Sequence, residues 1–345
     1  MKIVHIMGND KFAPDYIDMI NSEFVEDEHN FFLLSYNNSI KIRREESWKN
    51  VTYISKSILD MVLLNNNLKK ADKIIFHGLF SRIVMALVCF GGFSSKTYCA
   101  LWGGDLYKHG KESRIEYWIK KHIISNSKGI IMELEDDYYL AQKWYGAKCP
   151  YFNNMLYFSN IVDNKLISTY KKPNTGTKVI QIGNSADPSN LHKNVLDVLT
   201  KYKNDDIKLM IPLSYGGKQY AKEIVDYATN IFGDKVNALM DFLPLDEYLK
   251  ILDSVDIAVF AHKRQQGLGN ILSLLAKGKK VYVPDEGTVY KSLKRLGVSI
   301  FATETLDSTF YDELSEDDVR TNMQIISEIS NKNKLVSDWK RVFTD

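Results

Sequence analysis

An α/β fold of two Rossmann-like domains facing each other across a cleft is what this sequence predicts, and three observations predict it. Short apolar runs alternate with stretches of helical apolar spacing, the pattern of a parallel sheet covered by helices. The alternation fades once, around Tyr157–Thr177, and then begins again. The runs end on turn-forming or charged residues, which in open parallel sheets is where ligands bind. A chain of 345 residues suits two cores of roughly 150 residues each.

In the first half, Lys2–Met7 reads as a strand opening on Gly8-Asn9-Asp10, and Phe31–Ser35 as a second. Lys73–Phe76 ends at His77-Gly78 and is followed by helical spacing over Leu79–Phe90. Thr97–Leu101 ends at Trp102-Gly103-Gly104-Asp105. Gly129–Met132 is the fifth strand, before an acidic helix start at Glu133–Asp137. Pro173, Asn174 and Gly176 punctuate the linker. The second half repeats the scheme. Its strands are Lys178–Ile182, Lys208–Leu213, Val236–Met240, Asp256–Phe260 and Lys280–Val283, with helices at Pro188–Lys201, Leu245–Asp253 and Gly267–Lys277. The domains are placed at 1–165 and 178–315. An amphipathic helical tail over 316–345, anchored by Trp339, packs back on the first domain.

Composition bounds the function. Hydrophobic residues at 45% and charged residues at 26% suit a globular protein, and a net charge of +2 gives no sign of nucleic-acid binding. From Lys41 to Lys128 there are 16 Lys/Arg against 7 Asp/Glu. That excess is either a solvated face or a surface for anionic headgroups or a phosphate-bearing acceptor. Cys89, Cys99 and Cys149 have no metal-ligand spacing and form no disulfide framework, which fits a reducing compartment. The opening MKIVHIMGND reads as a strand rather than a signal peptide. The apolar, uncharged run of 13 residues between Arg82 and Lys96 is too short to span a bilayer, so membrane contact is expected to be peripheral.

Two turns of the second half carry the strongest chemistry. Arg264-Gln265-Gln266-Gly267-Leu268-Gly269 lies between an apolar strand and an apolar helix, with Asn270 just inside it. Free N–H groups and the helix dipole favour a phosphate there, Arg264 adds charge, and the glutamines are donors for sugar hydroxyls. A tight βα turn relieved by glycine is the plainer alternative. Gly183-Asn184-Ser185 repeats the idea, either binding a diphosphate or capping the next helix, and Tyr215 closes a third strand-end turn. In the first half, Asp105 follows a strand and two glycines. It is either a base accepting the proton of an attacking hydroxyl or a cap of the next turn. His77 and Asp10 occupy equivalent strand ends and compete as bases, His77 having the more suitable intrinsic pKa unless it is buried structurally. No D-x-D pair, Walker motif or G-x-S-x-G elbow is present, and Glu135-Asp136-Asp137 reads as an N-terminal helix charge cluster. Neither metal nor cofactor is therefore expected, and helix dipole and basic side chains would neutralise a leaving group.

The segments FHGLF (Phe76–Phe80), LWGGDLY (Leu101–Tyr107), GNSADPSN (Gly183–Asn190), IPLSYG (Ile211–Gly216) and RQQGLG (Arg264–Gly269) resemble glycosyltransferase family 56, in order and up to about Val283. That family contains the dTDP-4-acetamido-4,6-dideoxygalactose (Fuc4NAc) transferases of enterobacterial common antigen. The resemblance implies a GT-B fold, a first domain facing a lipid-diphosphate-linked saccharide acceptor and a second domain holding the nucleotide sugar. It implies donor-site roles for Asn184, Ser185, Tyr215, Gln265, Gln266 and Gly267. It sets Asp105 and His77 toward the acceptor, alongside Asp10, Trp102 and Gly104. His262-Lys263 is more basic than the family pattern and Asn270 replaces a usual threonine, so the donor extends to other 4-amino-4,6-dideoxy sugars on dTDP or UDP, and the pathway to O-antigen or capsule. The expected place is the cytoplasmic face of the bacterial inner membrane. Helix Arg114–Asn126, with Tyr117, Trp118, Lys120, Lys121 and His122, is the candidate for interfacial contact, or else a helix packed on its own sheet. A sugar-nucleotide epimerase and a non-catalytic sugar-binding protein are the alternatives to a transferase.

Overall fold

The structure is a computed structural model that describes residues 1–35, 48–162 and 176–345. The middle of the expected linker, 163–175, and the start of the basic stretch, 41–47, lie outside the described residues. The chain divides into two compact units, Met1–Ile161 with Lys332–Asp345, and Val162–Asn331. The tail drawn from residue 316 is thus split: Glu316–Ile329 belongs to the second unit and Lys332–Thr344 to the first.

The first unit holds a seven-stranded parallel sheet in the order β3-β2-β1-β4-β5-β6-β7. Its strands are β1 (Lys2–Gly8), β2 (Glu28–Leu34), β3 (Val51–Ile54), β4 (Lys73–His77), β5 (Thr97–Ala100), β6 (Gly129–Met132) and β7 (Tyr151–Asn153). Its helices are α1 (Ala13–Glu23), α2 (Ile58–Lys70), α3 (Arg82–Phe90), α4 (Gly103–Leu106), α5 (Arg114–Asn126) and α6 (Glu135–Tyr145). The central strands are mostly apolar because helices cover both faces. Ile74 and Phe76 face a core with Leu64, Leu68, Val84, Val88 and Ile123, from α2, α3 and α5. Local signals start these helices: the Ser57 hydroxyl accepts the Asp60 N–H at 3.1 Å, and Ser113 caps Glu116 at 3.2 Å.

The second unit repeats the topology as β10-β9-β8-β11-β12-β13, all parallel. The strands are β8 (Lys178–Ile182), β9 (Ile207–Pro212), β10 (Val236–Leu239), β11 (Ile257–Val259), β12 (Lys280–Val283) and β13 (Phe301–Ala302). The helices are α7 (His192–Leu199), α8 (Lys218–Phe232), α9 (Leu245–Ser254), α10 (Leu268–Ala276), α11 (Thr288–Arg295), α12 (Leu306–Thr309) and α13 (Glu316–Ile329). The last helix, α14 (Lys332–Thr344), returns to the first unit. There Trp339 is fully buried and its indole N–H donates to the Leu156 carbonyl at 3.2 Å.

Three strands escape the sequence reading: β3, β7 and β13. Each is a two- to four-residue edge strand too short to show an apolar run, and pairing with a neighbour defines it. The expected helix over Pro188–Lys201 is broken at Leu191, where φ is 51°. Pro188–Asn190 forms a single 3₁₀ turn whose Ser189 N–H is held by Asp187 at 2.8 Å.

Candidate functional site

In both units the strand order reverses beside the first strand, between β1 and β4 and between β8 and β11. Side chains just past the carboxyl ends of those strands face a natural crevice. The candidate residues divide between these two switch points.

In the second unit the expected residues come together. Asn184 donates from Nδ2 to the Tyr215 hydroxyl at 3.0 Å and accepts from Gln266 Nε2 at 3.2 Å. Gln266 also accepts from Ser189 Oγ at 2.9 Å. The Arg264 guanidinium is held by the Asp187 carboxylate at 3.2 Å and leans on Ser189 Oγ at 3.4 Å. Thus the turns after β8, β9 and β11 form one network. Asn184 and Ser185 are buried within it, and Tyr215 is half exposed. Gln265, Gly269 and Asn270 are partly exposed at the same turn, the last two in the first turn of α10.

Two glycines make this packing possible. Gly183 has φ 66°, and a Cβ there would lie 2.7 Å from His192 Nε2. Gly267 has φ 62°, and its Cβ would lie 2.9 Å from Asn184 Cγ. Both require a left-handed backbone and a hydrogen in place of a side chain. Gly267 is also the N-cap of α10 and offers no side-chain oxygen to its first N–H groups. Those groups and the helix dipole are therefore presented to an anion.

Sequence reasoning missed the residue that ties this loop. Asn190, fully buried, accepts the Asn184 N–H at 3.1 Å and donates to the Ser185 and Asp187 carbonyls at 3.1 Å each. Its position in GNSADPSN was legible, but its burial was not. His262 is corrected as well, since it adds no positive charge to the turn. Its Nδ1–H donates to the Arg264 carbonyl at 2.9 Å, and burial lowers its pKa to about 4, so the ring is neutral.

In the first unit the three candidate bases sit in different surroundings. Asp105 is completely buried. Its carboxylate accepts the N–H groups of Leu79 at 2.6 Å, Trp102 at 2.7 Å and Leu106 at 2.8 Å. Burial raises its pKa, and the three N–H bonds oppose that shift. Both oxygens are thus occupied in clamping the turn after β4 to the turn after β5, so the capping alternative describes this residue. Lys120 lies beneath and donates to the Asp105 carbonyl at 3.0 Å.

His77 is likewise structural. It is 2% exposed, its Nδ1 lies 2.7 Å from the Tyr157 hydroxyl, and its ring packs on His5, Tyr16 and Trp339. Burial lowers its pKa to about 3, which makes it a weak base.

Asp10 differs from both. It is partly exposed, Oδ1 accepts the Phe12 N–H at 2.9 Å, and burial raises its pKa to about 6. Beside it stands an aromatic group. Phe12 packs edge-on against Trp102 (5.3 Å between centroids), and so does Phe80 (5.7 Å). Tyr157 stacks beneath Phe12 at 5.2 Å. Phe12, Phe80 and Trp102 are all partly exposed, and Gly104 lies next to them in α4. Glu133, at the end of β6, is a further carboxyl that sequence reasoning took only for part of a helix start. Burial and the nearby Asp137 push its pKa up to about 8, and Asn160 donates to it at 3.0 Å.

Among the described residues no helix is long and apolar enough to cross a membrane. None of His, Cys, Asp and Glu among them gathers in a group of three that could hold a metal ion.

Known proteins share this fold. The family described as 4-alpha-L-fucosyltransferase, glycosyl transferase group 56, matches residues 2–344. Among solved structures, the chain is similar to sucrose-phosphate synthase from Thermosynechococcus elongatus, with 11% identity, a TM-score of 0.71, and coverage of 100% of this chain and 98% of that one. It is similar to HepE of Anabaena in complex with UDP and glucose, at 11% identity and a TM-score of 0.70, covering 100% and 99%. A glycosyltransferase from Rickettsia africae matches at 11% identity and a TM-score of 0.66, covering 99% and 97%. The fold is the GT-B fold of two Rossmann-like domains.

Proposed function

This chain belongs to the glycosyl transferase group 56 family and is a glycosyltransferase that uses a nucleotide sugar, and from that premise we propose the following reaction. A 4-amino- or 4-acetamido-4,6-dideoxyhexose passes from a dTDP- or UDP-sugar to a lipid-diphosphate-linked saccharide, in surface polysaccharide synthesis at the cytoplasmic face of the inner membrane. The observation that carries the donor half is the joining of Asn184, Tyr215, Gln266 and Gly267 at the start of α10. Uncapped N–H groups and Arg264 suit a diphosphate, and the amides of Asn184, Gln265 and Gln266 suit hydroxyl or acetamido groups.

The acceptor half belongs to the first unit. Phe12, Phe80 and Trp102 offer ring faces and edges to the apolar faces of a pyranose. Asp10 accepts the proton of the attacking hydroxyl. As it does so, the acceptor oxygen bonds to the anomeric carbon and the bond from that carbon to the phosphate oxygen breaks. The electron pair leaves on the nucleoside diphosphate, whose charge meets the α10 dipole and Arg264. The base is thus reassigned from Asp105 to Asp10, which the sequence already ranked as a competitor. Leaving-group charge is handled without a metal in this scheme.

The experiment is thermal unfolding with dTDP, UDP, GDP and ADP, with and without Mg²⁺, followed by transfer to a lipid-linked acceptor with the matching sugar nucleotide. A nucleotide at 100 times its Kd stabilises by about 2.7 kcal/mol. Selective stabilisation by dTDP or UDP without Mg²⁺ is expected. Indifference to every nucleotide overturns the donor-site reading.

A further inference from the structure

The helices α2, α3 and α5 bury one apolar face against the first sheet and carry a second apolar face outward. Leu64, Leu68, Val84, Val88 and Ile123 fill the core. On the outside, Ile58, Leu59 and Ile115 are 83, 81 and 72% exposed, and Ile83 joins them. Phe90, 71% exposed, stacks on Trp118 with 5.9 Å between centroids. The three helices pack side by side, α2 on α3 and α3 on α5, so these side chains share one outer surface. A helix in a globular protein is ordinarily polar on its outer face, and contiguous exposed apolar surface marks an interaction site.

The charges around this surface identify what covers it. Lys56 precedes Ile58, Arg82 adjoins Ile83, Lys111 and Arg114 lead into Ile115, and Lys121 lies one turn past Trp118, all of them exposed. Of the acidic residues among them, Glu116 is buried and taken up by Arg82 at 2.7 Å, Asp60 accepts the Ser55 N–H at 2.8 Å, and Glu112 accepts the Tyr145 hydroxyl at 2.7 Å. Aromatic and aliphatic side chains set among cations match the boundary of an anionic bilayer, where rings and alkyl groups enter the headgroup layer and Lys/Arg meet lipid phosphates. A second copy of the chain fits poorly, because two-fold contact would set this cationic surface against itself.

We infer that the outer face of α2, α3 and α5 is a docking surface for an anionic phospholipid bilayer. It names more than the single helix Arg114–Asn126 expected from sequence, since Ile58, Leu59, Ile83 and Phe90 come from α2 and α3 and only Ile115 and Trp118 from α5. Its placement bears on the reaction. Crossover helices run antiparallel to the strands of a parallel sheet, so their first turns lie at the carboxyl edge of the sheet. Ile58, Ile83 and Ile115 all sit in such first turns, on the edge that also carries Asp10 and Trp102. A lipid-linked saccharide could therefore reach the acceptor side without leaving the membrane. This deepens the proposed lipid-linked acceptor, but its test needs neither donor nor acceptor.

The test is co-sedimentation of the full chain with phosphatidylcholine vesicles and with vesicles containing phosphatidylglycerol, at low and high salt. Binding to the phosphatidylglycerol vesicles that weakens with salt is expected. The triple variant Leu59→Ser/Ile115→Ser/Trp118→Ser removes three outward side chains. It should keep the native unfolding temperature and lose about tenfold or more in partitioning. The double variant Lys111→Glu/Arg114→Glu should lose the salt-sensitive part, whereas Val198→Ser/Tyr311→Ser, exposed apolar positions of the second unit, should bind as wild type. The inference is overturned if the wild type stays in solution with both vesicle types or if the triple variant partitions unchanged. A wild-type dimer that the triple variant converts to monomer would also overturn it, by assigning the face to a second copy. Vesicle binding without any nucleotide response would sink the proposed reaction and leave this surface standing; the converse would do the reverse.

Discussion

Gly267→Ala tests the donor network at its tightest point. Gly267 has φ 62°, and a Cβ would lie 2.9 Å from Asn184 Cγ and 3.2 Å from its Nδ2 and Oδ1. Two separable costs follow. Holding alanine in the left-handed region costs about 1–2 kcal/mol, with or without ligand. Moving Asn184 aside also gives up its bonds to Tyr215 and Gln266, at about 1 kcal/mol each. Unfolding free energy should therefore fall by about 3–4 kcal/mol, while the nucleotide Kd, which feels only the displaced Asn184, rises about 10- to 30-fold. Chemical denaturation measures the first and calorimetric titration of the nucleotide that stabilises the wild type measures the second. Gly269→Ala is the control. Gly269 has an ordinary backbone inside α10, so alanine there should be neutral or stabilise by up to about 1 kcal/mol. The reasoning fails if Gly267→Ala binds nucleotide as wild type, or if Gly269→Ala lowers the unfolding free energy equally.

Asp10→Asn should lower kcat/KM by about 100- to 10,000-fold and remove an acid limb near pH 6, where the wild-type carboxylate gains its proton. An acid limb that persists in the variant would assign it to another group. Asp105→Asn turns an amide NH₂ toward backbone N–H donors. It should cost about 2–4 kcal/mol in urea unfolding while leaving the kcat of the folded fraction within about threefold; lost activity at unchanged stability would restore Asp105 as the base. Acid should destabilise the first unit through His77. Its folded pKa, about 3, lies below the ordinary 6.5, so its contribution is complete above pH 6.5 and lost as pH falls toward 3, at about 1.4 kcal/mol per pH unit. Denaturation midpoints from pH 7 to pH 4 should shift less in His77→Gln than in wild type, and equal shifts would refute the assignment.

The strand-end turns were legible in the sequence, because a βαβ crossover needs an apolar run, a turn and an amphipathic stretch in that order. Spacing sets Gly183, Asn184, Tyr215, Gln266 and Gly267 at strand ends, and the parallel order of the second sheet brings their turns into one network. The central strands were legible for the same reason. Edge strands β3, β7 and β13 were not, since two to four residues are too few to show an apolar run.

Side-chain environment was decided only by tertiary packing. Asp10, His77 and Asp105 stand at equivalent strand ends, and sequence ranks them by intrinsic chemistry. Packing ranks them in another order. Asp105 is consumed by three backbone N–H groups, His77 is neutral inside an aromatic core that α14 completes, and Asp10 keeps a partly exposed carboxyl. The apolar residues of α2 and α3 show the same division. Helical periodicity marks them as apolar positions, but which of them turn inward is settled by the sheet beneath, and the remainder form the cation-bordered outer face. Residue type and local order are properties of the chain. Burial, hydrogen-bond partners and the pKa values that follow from them depend on residues as distant as Tyr157 from His77 or Gln266 from Asn184, and exist only once the chain has folded.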